Sequence, residues 1–225
     1  MNVPGLITVQ PDQLDLLDKL SRMVGTSFLE ERWYVAWLEA LDTQGINPTR
    51  KHAITQAAIR ADYQATAPYG CILTTADHAA AVNIYRKSEL VDLPWLDLQE
   101  QAEDMLEAAL THQEQQLLFE RMKEMEPVSG SDWPLQAAHP EDDYLYIISI
   151  GVDPLQRGTG AFGRLFKPLL AYADNQGLDC YLDCYSDRLE QLYGHYGFEI
   201  IERKSDPTFT IHERCMMRRP VTPIA

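Results

Sequence analysis

Arg157-Gly158-Thr159-Gly160 stands between a β-rich run and a stretch with apolar residues at helical spacing. Glycines at such a junction permit backbone angles and close approaches that a β-carbon blocks, so successive amides can converge on an anion. The helix that follows adds its own free amides and its positive dipole end. A turn of this kind suits a phosphate group, although glycines between strand and helix also serve simply to make a tight turn. Two further side chains could do chemistry. Tyr193 offers a phenol able to donate a proton or a hydrogen bond, or it packs the last turn of a short helix before Gly197. Asp183 shares one strand face with Tyr181 and Tyr185, where it could bind or deprotonate a cation, or pair with an arginine.

The better-known phosphate loops fit less well. A Walker loop ends Gly-Lys-Ser/Thr, whereas Gly160 is followed by Ala161-Phe162. Gly158, Gly160 and Gly163 do supply the GxGxxG of a dinucleotide fold, and Asp183 falls 20 residues after Gly163. That unit would start near residue 144 of 225, leaving too little chain for the rest of a dinucleotide domain.

A strand and a helix have to hold this turn in place. Tyr144 to Val152 predicts a strand, Pro154 to Gly160 a turn, and Leu165, Phe166, Leu169, Leu170 and Ala173 a helix over Ala161 to Asn175. Pro168 lies inside that helix and predicts a kink or local widening, and Gly177 ends it. A strand over Leu178 to Tyr185, a short helix over Asp187 to Tyr196, and strands over Phe198 to Arg203 and Thr208 to Arg218 follow, with Asp206-Pro207 in the final turn. The second half therefore reads βαβαββ.

Upstream, Leu6 to Val9 predicts a short strand, and a helix opened by Pro11-Asp12 carries Leu14, Leu17, Leu20 and Val24. Phe28 to Leu41 and Lys51 to Thr66 are further helices, separated by a break at Thr43 to Pro48. Cys71 to Thr75 and Ala79 to Tyr85 form a hairpin through Ala76-Asp77-His78, the second and third strands. Residues 86–140 hold helical stretches near Leu96 to Leu110 and Gln113 to Met125, then a loop with Pro127, Gly130, Pro134 and Pro140. About fifty residues in two amphipathic helices bury too little to fold alone. One domain over residues 1–225 is therefore expected, with 86–140 as a helical insertion forming a lid or substrate wall and 144–203 as the motif-bearing core.

Composition narrows the function classes. With 19 basic against 34 acidic residues, the net charge of −15 argues against nonspecific nucleic-acid binding and mildly favours cationic or neutral partners. Cys71, Cys180, Cys184 and Cys215 show no CxxC pairing, so neither a metal site nor a disulfide scaffold is expected, and a reducing cytoplasm is the expected setting. Cys180 and Cys184 share the other face of their strand with Leu182 and read as core. Met1 to Gln10 has no basic patch followed by an apolar run, so no signal peptide is expected. No segment approaches the roughly 20 apolar residues of a membrane span.

Val152-Asp153-Pro154-Leu155-Gln156-Arg157-Gly158-Thr159-Gly160, with Leu165 on the helix face, resembles motif A of the GNAT superfamily of N-acetyltransferases. Leu192-Tyr193-Gly194-His195-Tyr196-Gly197-Phe198 resembles that family's Tyr-x-x-x-Gly-Phe segment. The two cover roughly Tyr144 to Arg203. The resemblance implies an α/β (α+β) fold with a mixed, mostly antiparallel central sheet flanked by helices, the insertion falling between the third and fourth strands. It implies acetyl-CoA as co-substrate, no metal, an amine acceptor, no nucleic-acid or membrane partner, and leaves a homodimer open. It implies that backbone groups of Ile150 and Val152 hold the pantetheine arm and approach the thioester carbonyl. Arg157, Gly158, Thr159, Gly160, Ala161 and Phe162 match the pyrophosphate loop, and Phe162 stands where the family usually has Gly or Ala. Ser186 stands where many relatives have a coenzyme-contacting asparagine, and Tyr193 matches the tyrosine near the coenzyme sulfur.

Attack of an amine on a thioester passes through an oxyanion, which amides on the fourth strand could stabilise. A phenol with reference pKa of about 10 protonates a thiolate, whose conjugate acid is near 8.5, only uphill, so Tyr193 acts as general acid or as hydrogen-bond donor. Asp183 is a candidate base or amine contact. Glu141, Asp142 and Asp143, as well as His112 and His139, read as solvated surface. The competing reading of the chain is a non-catalytic coenzyme-A-binding sensor or partner-binding module, which would keep the anion turn without needing Tyr193.

Overall fold

The computed structural model describes residues 1–90, 95–130, 132–139 and 141–221. Seven strands, β1 (Ile7–Thr8), β2 (Ile72–Thr74), β3 (Ala80–Arg86), β4 (Tyr144–Val152), β5 (Asp179–Cys184), β6 (Glu199–Ser205) and β7 (His212–Arg218), form one sheet in the order β1-β2-β3-β4-β5-β7-β6. Every neighbouring pair is antiparallel except β4 and β5. That exception follows from connectivity, since a helical crossover between β4 and β5 returns the chain in the same direction. The expected mixed, mostly antiparallel sheet flanked by helices is the observed one.

Eight α-helices accompany the sheet among the described residues: α1 (Leu14–Phe28), α2 (Arg32–Leu38), α3 (Pro48–Thr66), α4 (Trp95–Glu107), α5 (His112–Met125), α6 (Trp133–Ala137), α7 (Ala161–Gln176) and α8 (Asp187–His195). On one sheet face, Leu165, Phe166, Leu169 and Ala173 of α7 and Tyr193 of α8 pack with Val82, Ile84, Leu145, Ile147, Leu182 and Cys184. On the other face, Leu20 and Val24 of α1 and Ile59 and Tyr63 of α3 cover Ile72 and Ala81, while Trp95, Leu98 and Trp133 meet Tyr85, Tyr144, Tyr146 and Tyr181. Cys180 and Cys184 lie in the first of these cores beside Leu182, as their strand alternation predicts.

Several boundaries differ from the sequence pattern. The helix expected over Phe28 to Leu41 starts later and changes form: Phe28 ends α1, Leu29–Glu31 interrupt, α2 covers Arg32–Leu38, and Glu39–Gln44 continue as a 3-10 helix; Glu31 caps α2 by accepting the Trp33 amide at 2.7 Å. Pro48, expected to break structure, is the first residue of α3, where its missing amide costs nothing, and Asn47 caps that helix by accepting the Arg50 amide at 2.9 Å. The last strand starts at His212 rather than Thr208. α7 continues unbroken through Pro168. Pro140, placed in the loop before β4, lies outside the described residues, and no helix among the described residues is long and apolar enough to cross a membrane.

One irregularity positions everything that follows. Opposite β3 the pairing jumps from Ile84↔Ile147 to Asn83↔Ser149, leaving Ile148 as the extra residue of a β-bulge. Before the bulge, odd-numbered Leu145 and Ile147 face α7; after it, even-numbered Ile150 and Val152 do. Ser149 and Gly151 thereby turn to the α1 side, where an added β-carbon on Gly151 would come within 2.8 Å of Ser27 Oγ.

Candidate active site

The parallel pairing of β4 with β5 runs from Tyr144↔Asp179 to Ile147↔Leu182, although β4 continues to Val152 and β5 to Cys184. Beyond Ile147 the strands part. The Asp153 amide donates to the Ala79 carbonyl at 2.9 Å, so strand alternation points the amide and carbonyl of Gly151 at β3 and those of Ile150 and Val152 into the gap. An extended ligand entering there would find backbone donors and acceptors of the kind a pantetheine arm needs. The gap opens into a cavity of about 2090 Å³ that reaches from the start of α7, past β4, β5 and α8, to α2, α3, α4 and α5.

At one end of this cavity lies the glycine turn. Gly158 and Gly160 hold φ of +79° and +80°, the left-handed region in which a side chain is strained. An added β-carbon would meet nothing within 4 Å at Gly158 and only the Arg164 guanidinium, at 3.9 Å, at Gly160, so these positions need glycine for backbone angle rather than for room. Gly160 precedes α7 and no side chain caps the helix, which leaves its first amides free for an anion. Arg157, Gly158, Gly160, Ala161 and Phe162 line the cavity. Thr159 does not: its hydroxyl donates to the Gln156 carbonyl at 2.7 Å and closes the turn. The Arg157 guanidinium reaches Glu30 at 3.2 Å, linking this turn to the α1–α2 connection.

Phe162, the residue that departs from motif A, resolves simply. Its ring packs on Phe166 at 4.8 Å and Tyr196 at 5.7 Å between centroids, an aromatic cluster beside the helix start, so the amide stays at the turn while the side chain fills hydrophobic space. Tyr193 belongs to the same cluster, 5.9 Å from Phe166 and 6.1 Å from Phe198, and it also lines the cavity. Burial, reinforced by Cys184, Asp183 and Glu31, raises its phenol well above 10. A phenol so placed stays protonated and is a poor proton source for a thiolate, which favours hydrogen-bond donation. Ser186 lines the cavity as well, with its hydroxyl capping α8 by accepting the Leu189 amide at 3.3 Å.

The opposite wall is acidic and aromatic. Asp183 accepts a hydrogen bond from Tyr146 at 2.8 Å, and burial raises its pKa. Behind it, Glu213 accepts from Tyr185 at 2.9 Å and pairs with Lys204 at 3.1 Å, while burial and then Asp183 push its carboxyl up to about 7. The sequence does not single out Glu213, nor two further carboxylates that join the pair. Glu31 commits Oε2 to capping α2, but its Oε1 is buried without a partner, and burial pushes the group up to about 7 against the pull of the backbone amides of α2. Leaving such an oxygen unpaired costs about 1–3 kcal/mol, a cost retained where a ligand or proton will use it. Asp62 on α3 is likewise pushed up to about 7, by burial and then by Glu103. The Tyr34 phenol, raised by burial and then by Asp62 and Glu31, lies among these charges, and Glu31 in turn feels Asp183. Glu31 is visible in sequence only as an acid within a helical pattern; the break that makes it a cap carries no turn residue.

The remaining sequence candidates lie elsewhere. Asp143 binds Arg86 at 2.9 Å and Ser88 at 2.7 Å, and the exposed His139 accepts the Glu141 amide at 3.3 Å. His112 is exposed at the start of α5.

No protein-family model and no curated protein matches this sequence. Solved structures match its fold. The histone acetyltransferase HPA2 and related acetyltransferase of Corynebacterium glutamicum aligns over 100% of both chains with a TM-score of 0.55 and 16% identity. The mosquito arylalkylamine N-acetyltransferase like 5b aligns over 95% of this chain and 98% of its own, with a TM-score of 0.54 and 12% identity. The Aedes aegypti arylalkylamine N-acetyltransferase 2 aligns over 95% and 97%, with a TM-score of 0.51 and 13% identity. The chain therefore has the fold of these acetyltransferases, a mixed sheet flanked by helices of the kind the two sequence motifs imply.

Proposed function

We propose that this chain is an N-acetyltransferase that passes the acetyl group of acetyl-CoA to an amine of a small molecule or peptide, by direct attack in a ternary complex. The observation that carries this reading is the parting of β4 from β5 beside the uncapped start of α7, in one cavity with Tyr193 and with Glu31 and Asp62, carboxylates that form no ion pair among the described residues. Gly158, Gly160, Ala161 and Phe162 would hold the pyrophosphate by their amides, Arg157 would add charge, and Ile150 and Val152 would bind the pantetheine arm. Acetyl-CoA supplies the activated carbonyl.

The protein's own part is to gather, orient and move protons. The acceptor nitrogen must be uncharged to attack. Glu31, with a free oxygen and a carboxyl near 7, is suited to take its proton at neutral pH. Asp183, held by Tyr146, is suited to orient the ammonium before that transfer. The carbon–nitrogen bond then forms, the carbon–sulfur bond breaks, and the departing sulfur receives the Tyr193 hydrogen bond; the amine's second proton leaves with solvent or reaches the thiolate. The acid-lined wall supports a catalyst over a coenzyme sensor, because a sensor needs no cationic acceptor there. Four free, buried cysteines support a reducing, cytoplasmic setting.

The test is thiol release from acetyl-CoA with a broad amine panel, comparing the protein with Tyr193→Phe, alongside calorimetry of coenzyme-A binding. The expected result is amine-dependent release that falls in the variant. Tight coenzyme binding without acetylation of any amine would favour the sensor, and absence of binding by the unmodified protein would sink both readings.

A further inference from the structure

The cavity extends past the reacting centre to a second set of polar groups. Asn83 is fully buried and lines it, yet neither its Oδ1 nor its Nδ2 has a partner. Directly across the strand pair, Ser149 also lines it; its buried Oγ makes no close hydrogen bond, and the buried Tyr63 phenol is the group that interacts with it. Both face the α1 and α3 side because the Ile148 bulge turns Ser149 that way. Asp62 lines the same cavity, and the Tyr63 phenol feels both its charge and the Ser149 hydroxyl, which links Asp62 to this wall. Among the described residues no hydrogen bond or ion pair engages the Asp62 carboxylate, and no basic group offsets it; Glu103 is the charge nearest to it in effect. Trp95, Tyr34 and Tyr146 line the same cavity and offer it aromatic rings. Buried amides and hydroxyls are seldom left unpaired, so something that enters the cavity is expected to satisfy them.

An alkylammonium has three N–H donors, no acceptor and one positive charge. A carboxylate oxygen, an amide oxygen and a hydroxyl oxygen, set among aromatic rings, match those needs. We infer that the acceptor is a diamine: one nitrogen is acetylated at Glu31 and Asp183, and a second, protonated nitrogen is held by Asp62, Asn83 Oδ1 and Ser149 Oγ. This deepens the acetyltransferase reading and rests on it. The second nitrogen takes no part in bond making and breaking; it fixes the reach and angle of the first.

The full chain is assayed for thiol release from acetyl-CoA with n-butylamine, 4-aminobutan-1-ol and α,ω-diaminoalkanes of three to six carbons. The best diamine is expected to exceed the aminoalcohol and the monoamine in kcat/KM by on the order of 30-fold or more, mostly through KM. Asp62→Asn collapses that ratio to within about threefold of one, and Asn83→Leu lowers it in the same direction. A ratio near one in the unmodified protein, or one preserved in a folded Asp62→Asn, overturns the inference. Calorimetry with coenzyme-A-loaded protein separates this from failure of the acetyltransferase reading. Diamine binding that Asp62→Asn abolishes upholds the subsite even without turnover. Equal or absent binding of the diamine and the monoamine means that water satisfies Asn83 and Ser149, and the subsite is withdrawn.

Discussion

Glu31→Gln should make the protein more stable and less active, with both effects depending on pH. Moving a carboxyl from 4.5 to about 7 corresponds to about 3 kcal/mol of preference for the protonated form in the folded state. Between those values the folded chain binds more protons at this site than the unfolded chain, so stability falls as pH rises. Below 4.5 the group contributes no penalty; integrating the linkage gives about 1 kcal/mol at pH 5.5 and about 3 kcal/mol at pH 8. Glutamine removes the charge and retains an oxygen for the Trp33 amide. Its NH2 group adds a cost of its own, but that cost does not titrate, so the quantity to read is the change between the two pH values. Urea unfolding of both proteins should show the variant gaining about 2 kcal/mol relative to wild type on going from pH 5.5 to 8. Loss of a general base should lower kcat/KM at pH 7.5 by about 10²–10⁴-fold and remove an ascending limb near pH 7. A stability difference that does not vary with pH, together with activity within threefold of wild type, would refute the assignment of Glu31 as a buried, titrating base.

Three further substitutions probe the coenzyme side. Tyr193→Phe should lower kcat by about 10–100-fold in the thiol-release assay while coenzyme-A affinity by calorimetry moves by less than about threefold, as expected for a group acting on the leaving sulfur. Because burial holds that phenol well above 10, wild-type activity should show no loss from its ionisation between pH 8 and 10. Gly160→Ala forces a β-carbon into φ of +80°, costing about 1–2 kcal/mol and weakening coenzyme-A binding by about tenfold or more in calorimetry. Phe162→Ala should cost on the order of 2–3 kcal/mol in urea unfolding, since the ring packs on Phe166 and Tyr196, and should weaken coenzyme-A binding less than Gly160→Ala does.

Much of the frame is legible in sequence because each element there announces itself locally. The order βαβαββ from Tyr144 onward follows from alternation, helical spacing and the glycines that end elements, and the structure reproduces it. The misreadings have physical causes. The helix start expected at Phe28 is early because Leu29–Glu31 hold no glycine or proline to mark the interruption, and only the backbone reveals it. Pro48 has two opposite meanings, breaker or first helical residue, and only the capping Asn47 decides between them.

The two sides of the site differ in legibility for a related reason. The turn at Arg157 to Gly160 is a run of consecutive residues whose shape lies in backbone angle, so glycines record it directly. The acidic wall is assembled from Glu31, Asp62, Asp183 and Glu213, four carboxylates on separate elements, of which strand alternation brings out only Asp183 while the other three read in sequence as ordinary surface charge in a chain of net −15. What brings the two sides together is the bulge at Ile148. Without it, strict alternation would carry Ile150 and Val152 to the α1 face and send Ser149 toward α7, so the backbone aimed into the gap and the polar side chain aimed at α3 would exchange sides. One unpaired residue therefore decides whether the gap between β4 and β5 and the acidic wall open into a common cavity, and nothing in the composition of Tyr144 to Val152 marks which residue that is.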